Sequence, residues 1–145
     1  MKLLGIDYGR KRLGIATCGA LRIACPLKIL YFSKQEKDLF AELGLILRER
    51  EIEKIIVGLP KNMDDSSGEM VKEVEKFAER LKEEFSLPII LWDERLTTYE
   101  ADRILKEAGL SPSQRKKRRD AIAAALILQS YVDSQMGKDK MESYP

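Results

Sequence analysis

The sequence contains no histidine. That one absence removes Ser-His-Asp and Cys-His hydrolases, ribonuclease chemistry that depends on an imidazole, and zinc sites with histidine ligands. Cysteine is nearly missing too: Cys18 and Cys25 are the only two, and they form neither a Cys-x-x-Cys pair nor a four-ligand pattern. They are expected to lie near each other across a hairpin as buried thiols in a reducing cytosol. No apolar run of about 18 residues and no signal peptide is evident, so the expectation is a cytoplasmic, soluble protein with no membrane partner. Charge of one sign is also not in excess. With 26 Lys and Arg against 24 Asp and Glu, the net charge is +2, so any affinity for nucleic acid must come from where cations cluster.

What is present suits a single folded unit. The 145 residues, 44% of them hydrophobic, are enough for one substantial core and too few for a second domain. Residues 1–135 are read as that domain and 136–145 as a frayed, flexible tail.

One stretch organises the rest: Leu4-Gly5-Ile6-Asp7-Tyr8-Gly9-Arg10-Lys11-Arg12-Leu13-Gly14-Ile15-Ala16. Two apolar runs flank a polar turn with three consecutive cations, a β-hairpin whose first strand delivers Asp7 at its end. A carboxylate on a strand buried on both faces needs compensation. A metal ion, the Arg10-Lys11-Arg12 turn and solvent at the strand end are the candidates, and a structural role in the turn is the simpler alternative.

A third strand, Ile23 to Tyr31, follows, and Pro26 suits it to a sheet edge. Ser33 with Glu36, Ser66 with Glu69 and Thr97 with Glu100 match the capping box that opens a helix. Helices are accordingly expected over the periodic apolar residues that follow each box. Between them Lys54 to Pro60 reads as a central strand, because its hydrophobicity is continuous rather than alternating, and Ile89 to Trp92 as the next buried strand. The second of these leads into Asp93 and Glu94. Gly109 is placed to close the third helix in a left-handed conformation. Ser111 to Arg119 is polar and aperiodic and is expected to be a loop, after which Asp120 begins a last, buried helix.

The order βββαβαβαα, with right-handed crossovers, gives an α/β ribonuclease H-like fold. A five-stranded mixed sheet, an antiparallel three-strand meander plus two parallel strands, carries helices on both faces. In this arrangement Asp7, Glu94 and Asp120 fall at compatible ends of their elements. Converging acids must be held ionised by an opposing charge, and Mg²⁺ prefers such oxygen ligands. Taken singly, Glu94 and Asp120 are equally readable as helix N-terminal acids, each worth about 0.3 to 1 kcal/mol.

The segments Gly5 to Gly9 through Gly14-Ile15-Ala16, Val57-Gly58-Leu59-Pro60-Lys61-Asn62-Met63-Asp64, Asp93 to Thr98 and Asp120-Ala121-Ile122-Ala123-Ala124 together resemble the YqgF (RuvX-like) family. Its members are described as Holliday junction resolvases or as nucleases that trim the 5′ end of precursor 16S ribosomal RNA. The resemblance implies phosphodiester hydrolysis with one or two Mg²⁺ or Mn²⁺ ions, and its acidic triad falls on Asp7, Glu94 and Asp120. Phosphate contacts are assigned to Arg10, Lys11, Arg12, Lys61, Asn62 and the run Arg115-Lys116-Lys117-Arg118-Arg119. Arg119 stands where the family commonly has Val. The expected partners are nucleic acid, either precursor ribosomal RNA or branched DNA, and ribosomal particles; the expected state is a monomer or weak homodimer. A non-catalytic RNA-binding assembly factor is the alternative of another class. An actin-like ATPase loop around Asp7 is a further alternative, but such enzymes need two such domains.

Overall fold

The structure, a computed structural model, describes residues 1–32, 35–60, 68–94 and 97–142, with the side chains at 94, 97–99 and 137–142 outside the description. In chain order the elements are β1 (Leu3–Tyr8), β2 (Arg12–Cys18), β3 (Ala24–Tyr31), α1 (Glu36–Glu49), β4 (Lys54–Pro60), α2 (Gly68–Glu84), β5 (Ile89–Glu94), α3 (Thr97–Glu107) and α4 (Pro112–Glu142). They form one sheet of order β3-β2-β1-β4-β5. β1 pairs antiparallel with β2 and β2 with β3, while β4 runs parallel to both β1 and β5. The expected mixed sheet is therefore present, with the Pro26 strand on its edge. Among the described residues no helix is long and apolar enough to cross a membrane.

Strand alternation sorts the apolar residues into two layers. Leu4, Ile6, Leu13, Ile15, Ile55 and Val57 face α1 and α2, where Leu39, Leu43, Val74, Phe77 and Leu81 meet them. Phe77 is fully buried, with the rings of Tyr8 at 5.0 Å and Phe40 at 5.9 Å. Leu3, Ala16, Cys18 and Ile56 face the other way, onto Ala124, Ala125, Ile127, Leu128 and Tyr131 of α4. Trp92 belongs to this second layer: its indole N–H donates to Ser130 Oγ at 3.1 Å, and its ring meets Tyr131 edge-on.

α4 comes unusually close to the sheet because two strand positions have no side chain. A Cβ at Gly5 would lie 2.8 Å from the Leu128 Cβ, and one at Gly14 would lie 1.9 Å from the Asp120 carbonyl oxygen. The small residues Ala121, Ala124 and Ala125 complete the contact from the helix side.

Several local expectations are revised. The 111–119 segment is not a loop, since α4 starts at Pro112. Ser111 caps it: its backbone N–H donates to Gln114 Oε1 at 2.8 Å, and its Oγ accepts from the Gln114 N–H at 3.4 Å. Proline at the first helical position costs nothing there, because its missing N–H would have had no partner. Asp120 consequently sits in the third turn of α4 rather than at its start. A dipole effect confined to the first turn is then too remote to explain an acid at this position. At the other end the α4 backbone continues to Glu142, past the expected end near residue 135. Gln35, not Ser33, precedes α1, and it makes no side-chain cap. Ser33, Ser66 and the Thr97 side chain lie outside the described residues. Gly109 does close α3, with φ of +84°. Its N–H reaches Lys106 O at 3.0 Å and the Leu110 N–H reaches Leu105 O at 3.2 Å, the paired bonds of a Schellman cap. Cys18 is buried as expected, whereas Cys25 is exposed because it lies on the edge strand.

Candidate active site

Asp7 sits one residue before the end of β1, and Gly14 of β2 is its cross-strand partner. The alternation that puts Leu3 and Gly5 under α4 brings Asp7 to the same side of the sheet. Gly14 in turn lies directly beneath the Asp120 peptide. One strand pair and one close helix contact thus bring together two acids that are 113 positions apart in the chain. Both line a single open groove of 390 Å³, together with Tyr8, Gly9, Arg10, Lys11, Arg12 and Met70.

The charge balance of this groove turns on Arg12. Its Nε donates to Asp120 Oδ2, with the carboxylate 17% exposed and the guanidinium 33% exposed. The hydrogen bond to Asp120, followed by that residue's charge, raises the Arg12 pKa above its usual value, and Asp7 adds a smaller push in the same direction. Burial opposes these effects but does not reverse them. Asp7 and Asp120 therefore both sit in the field of the Arg12 guanidinium.

The other two cations of the turn are placed differently from Arg12. Arg10 is held to α2, its Nε donating to both carboxylate oxygens of Glu73 at 3.1 and 2.9 Å. Lys11 is exposed and has no ion pair among the described residues. Tyr8 packs on Phe32 and Phe77, and its hydroxyl pKa is raised, first by burial and then by the charge of Glu73.

The basic run divides by helical spacing. Arg115 and Arg119, one turn apart, both reach Asp102 Oδ1 of α3 at 3.2 Å. Arg115 also donates to Leu110 O at 3.0 Å. These two arginines join α3 to α4 through Asp102. Lys116, Lys117 and Arg118 are exposed. The Glu94 backbone ends β5 opposite Pro60, and its side chain, like Lys61 and Asn62 altogether, lies outside the described residues. Sequence reasoning missed Met70 and the special role of Arg12 among the three turn cations. Arg12 could have been found by counting back from Gly14, since positions 12 and 14 share a face of β2.

Oxygen donors from Asp7 and Asp120 suit a hard divalent cation, which takes carboxylate ligands. The described lining also includes the Met70 thioether, a soft group that a hard ion of the Mg²⁺ type does not favour, so the two carboxylates are the donors that would suit such an ion.

The RuvX family model, described as Holliday junction resolvase, matches residues 1–134. A protein of Thermoanaerobacter pseudethanolicus named "Putative pre-16S rRNA nuclease" is 48% identical over 140 residues, covering 95% of this chain and all of its own. A protein of Syntrophus aciditrophicus with the same name is 37% identical over 143 residues, covering 99% of this chain and 95% of its own. Among solved structures, RuvC of Thermus thermophilus in complex with a Holliday junction substrate superimposes with a TM-score of 0.56 at 20% identity, over 94% of this chain and 96% of that one. That last likeness bears on the fold alone. A family match spanning nearly every element, together with relatives 37% and 48% identical along nearly their whole length, shows that this chain belongs to the RuvX family of nucleases.

Proposed function

We propose that the protein hydrolyses phosphodiester bonds with one or two Mg²⁺ or Mn²⁺ ions, and that its substrate is the 5′ flank of precursor 16S ribosomal RNA. The observation that carries this reading is the shared groove: Asp7 and Asp120, remote in sequence, line one opening and both act on Arg12. Asp7, Asp120 and Glu94 would hold the metal, and position 94 shares the strand parity of Ile90 and Trp92, the β5 residues on the α4 side. When bound, the metal activates water and stabilises the departing oxygen.

The remaining work falls to the chain's own residues. Asp120 is oriented from two sides, by Gly14 beneath its backbone and Arg12 at its carboxylate. Lys11 and the outward cations Lys116, Lys117 and Arg118 hold substrate phosphates. Such contacts carry no sequence information, so selectivity follows substrate shape. Arg10, tied to Glu73, braces the turn that presents Lys11. The relatives' name favours ribosomal RNA, and the family description keeps a branched DNA junction as the second reading.

The test is a side-by-side assay with Mg²⁺ or Mn²⁺ on a 5′-extended 16S precursor fragment and on a four-way DNA junction. Trimming of the RNA, abolished by EDTA, is the expected result. Cutting of the junction alone would reassign the substrate, and cleavage of neither would overturn the reading.

A further inference from the structure

A second groove, of 440 Å³, opens beside the first, between the β3 edge and the start of α4. Its walls include Ile29 and Tyr31 of β3, Leu105 of α3, and Lys117, Arg118 and Ile122 of α4. Tyr31 is 57% exposed and makes no ring contact among the described residues, unlike Tyr8, which is packed between two phenylalanines. Lys117 and Arg118, like Lys116, belong to the part of the basic run that Asp102 does not hold. The groove's described lining contains cations and apolar groups but no acid, and Lys28 at its rim is ion-paired to Glu42 at 3.7 Å.

The two grooves are lined by bonded and paired neighbours. Tyr31 is the cross-strand partner of Arg12, which lines the first groove. Asp120 lines the first groove, and the next residue, Ala121, lines the second. An exposed aromatic face beside outward cations is the combination that holds an unpaired strand, with bases stacked on the ring and phosphates along the positive wall. A duplex keeps its bases stacked on one another and has no use for the ring.

We propose that this second groove, with Tyr31 as its stacking platform and Lys117 and Arg118 as its phosphate contacts, binds a single-stranded polynucleotide leading to the Asp7–Asp120 groove. The proposal deepens the nuclease reading and rests on it: the unpaired flank of the substrate is what the groove takes.

The test is fluorescence anisotropy of the full chain in EDTA, with labelled 12-nucleotide single strands of RNA and of DNA and a blunt 12-base-pair RNA duplex. Tyr31→Ala is expected to weaken single-strand binding about 5- to 30-fold, Tyr31→Phe to stay within about twofold, and the duplex to respond to neither. Lys117→Ala with Arg118→Ala should reduce the salt slope of single-strand binding by about 1.4, or 0.7 per phosphate contact. Loss on RNA alone or DNA alone supports the groove and names the sugar it takes, and equal loss on both supports it for either. Unchanged single-strand affinity in Tyr31→Ala, or an equal loss on the duplex, would overturn it. Because EDTA prevents turnover, this result is independent of whether Asp7 and Asp120 carry out cleavage.

Discussion

Gly14 is the seat on which Asp120 rests: a Cβ at position 14 would fall 1.9 Å from the Asp120 carbonyl oxygen and 2.2 Å from its carbonyl carbon. Both neighbours are backbone, so no rotamer change relieves the clash. Gly14→Ala should destabilise the protein by about 3 kcal/mol or more, since α4 must lift from the sheet. Gly5→Ala, which meets Leu128 Cβ at 2.8 Å, should cost about 1 to 3 kcal/mol. At Gly19 nothing lies within 4 Å, and Ala there should change stability by less than about 0.5 kcal/mol. Urea denaturation of the three variants checks the ranking; a Gly14→Ala protein as stable as Gly19→Ala would disprove the close contact.

The Arg12–Asp120 pair is partly shielded from water, so it should be worth more than a surface ion pair and less than a buried one. Arg12→Ala and Asp120→Ala are each expected to cost about 1 to 2 kcal/mol. The double variant should fall short of the sum by about 0.5 kcal/mol or more. A double-mutant cycle by urea unfolding decides it, and strict additivity would mean that the two side chains do not couple.

Asp102 accepts from Arg115 and Arg119 at once, and Arg119 Nε is a buried donor with no partner of its own. Removing the acid strands two guanidinium groups between α3 and α4. Asp102→Ala should therefore cost about 1 to 3 kcal/mol, against less than about 0.5 kcal/mol for Lys116→Ala on the exposed face. Thermal melts of both variants provide the comparison, and equal melting temperatures would remove the bridging role.

Tyr8 gives an alkaline prediction. Its folded pKa is raised above 10.0, so as pH rises the unfolded chain loses the phenolic proton first. The stabilising contribution is whole below about pH 10 and is lost as pH climbs through the folded pKa. Melting temperatures measured from pH 9 to 11 should fall more steeply for the native protein than for Tyr8→Phe. Parallel curves would show that the hydroxyl does not titrate differently on folding.

Much of the fold was legible because long-range order left local traces. A continuous β-branched run marked β4 as central, Pro26 marked one edge, and Gly109 marked the end of α3; β5, whose apolar run reads as buried, is instead the other edge strand, with Leu91 exposed. The 111–119 segment escaped for a physical reason. Its faces are fixed by arginines on Asp102 rather than by apolar side chains, so no hydrophobic period announced a helix; Ser111-Pro112 with Gln114 was the available signal. In the site, element order was enough to expect Asp7 near Asp120. The choice of Arg12 over Arg10 and Lys11, and the need for Gly14, arise only from the packing of α4 on the sheet. Cys25 was misjudged as buried because edge position, not residue type, decides exposure there.

The account stands or falls on Asp7. The decisive measurement is the cleavage rate of Asp7→Asn in Mg²⁺ on whichever substrate the native protein cuts, with melting temperature and substrate affinity measured on the same preparation. The expected result is loss of cleavage by about a thousandfold or more, with the fold and affinity kept. A variant that cuts at the native rate would contradict the claim that the Asp7–Asp120 groove is where the phosphodiester bond is broken.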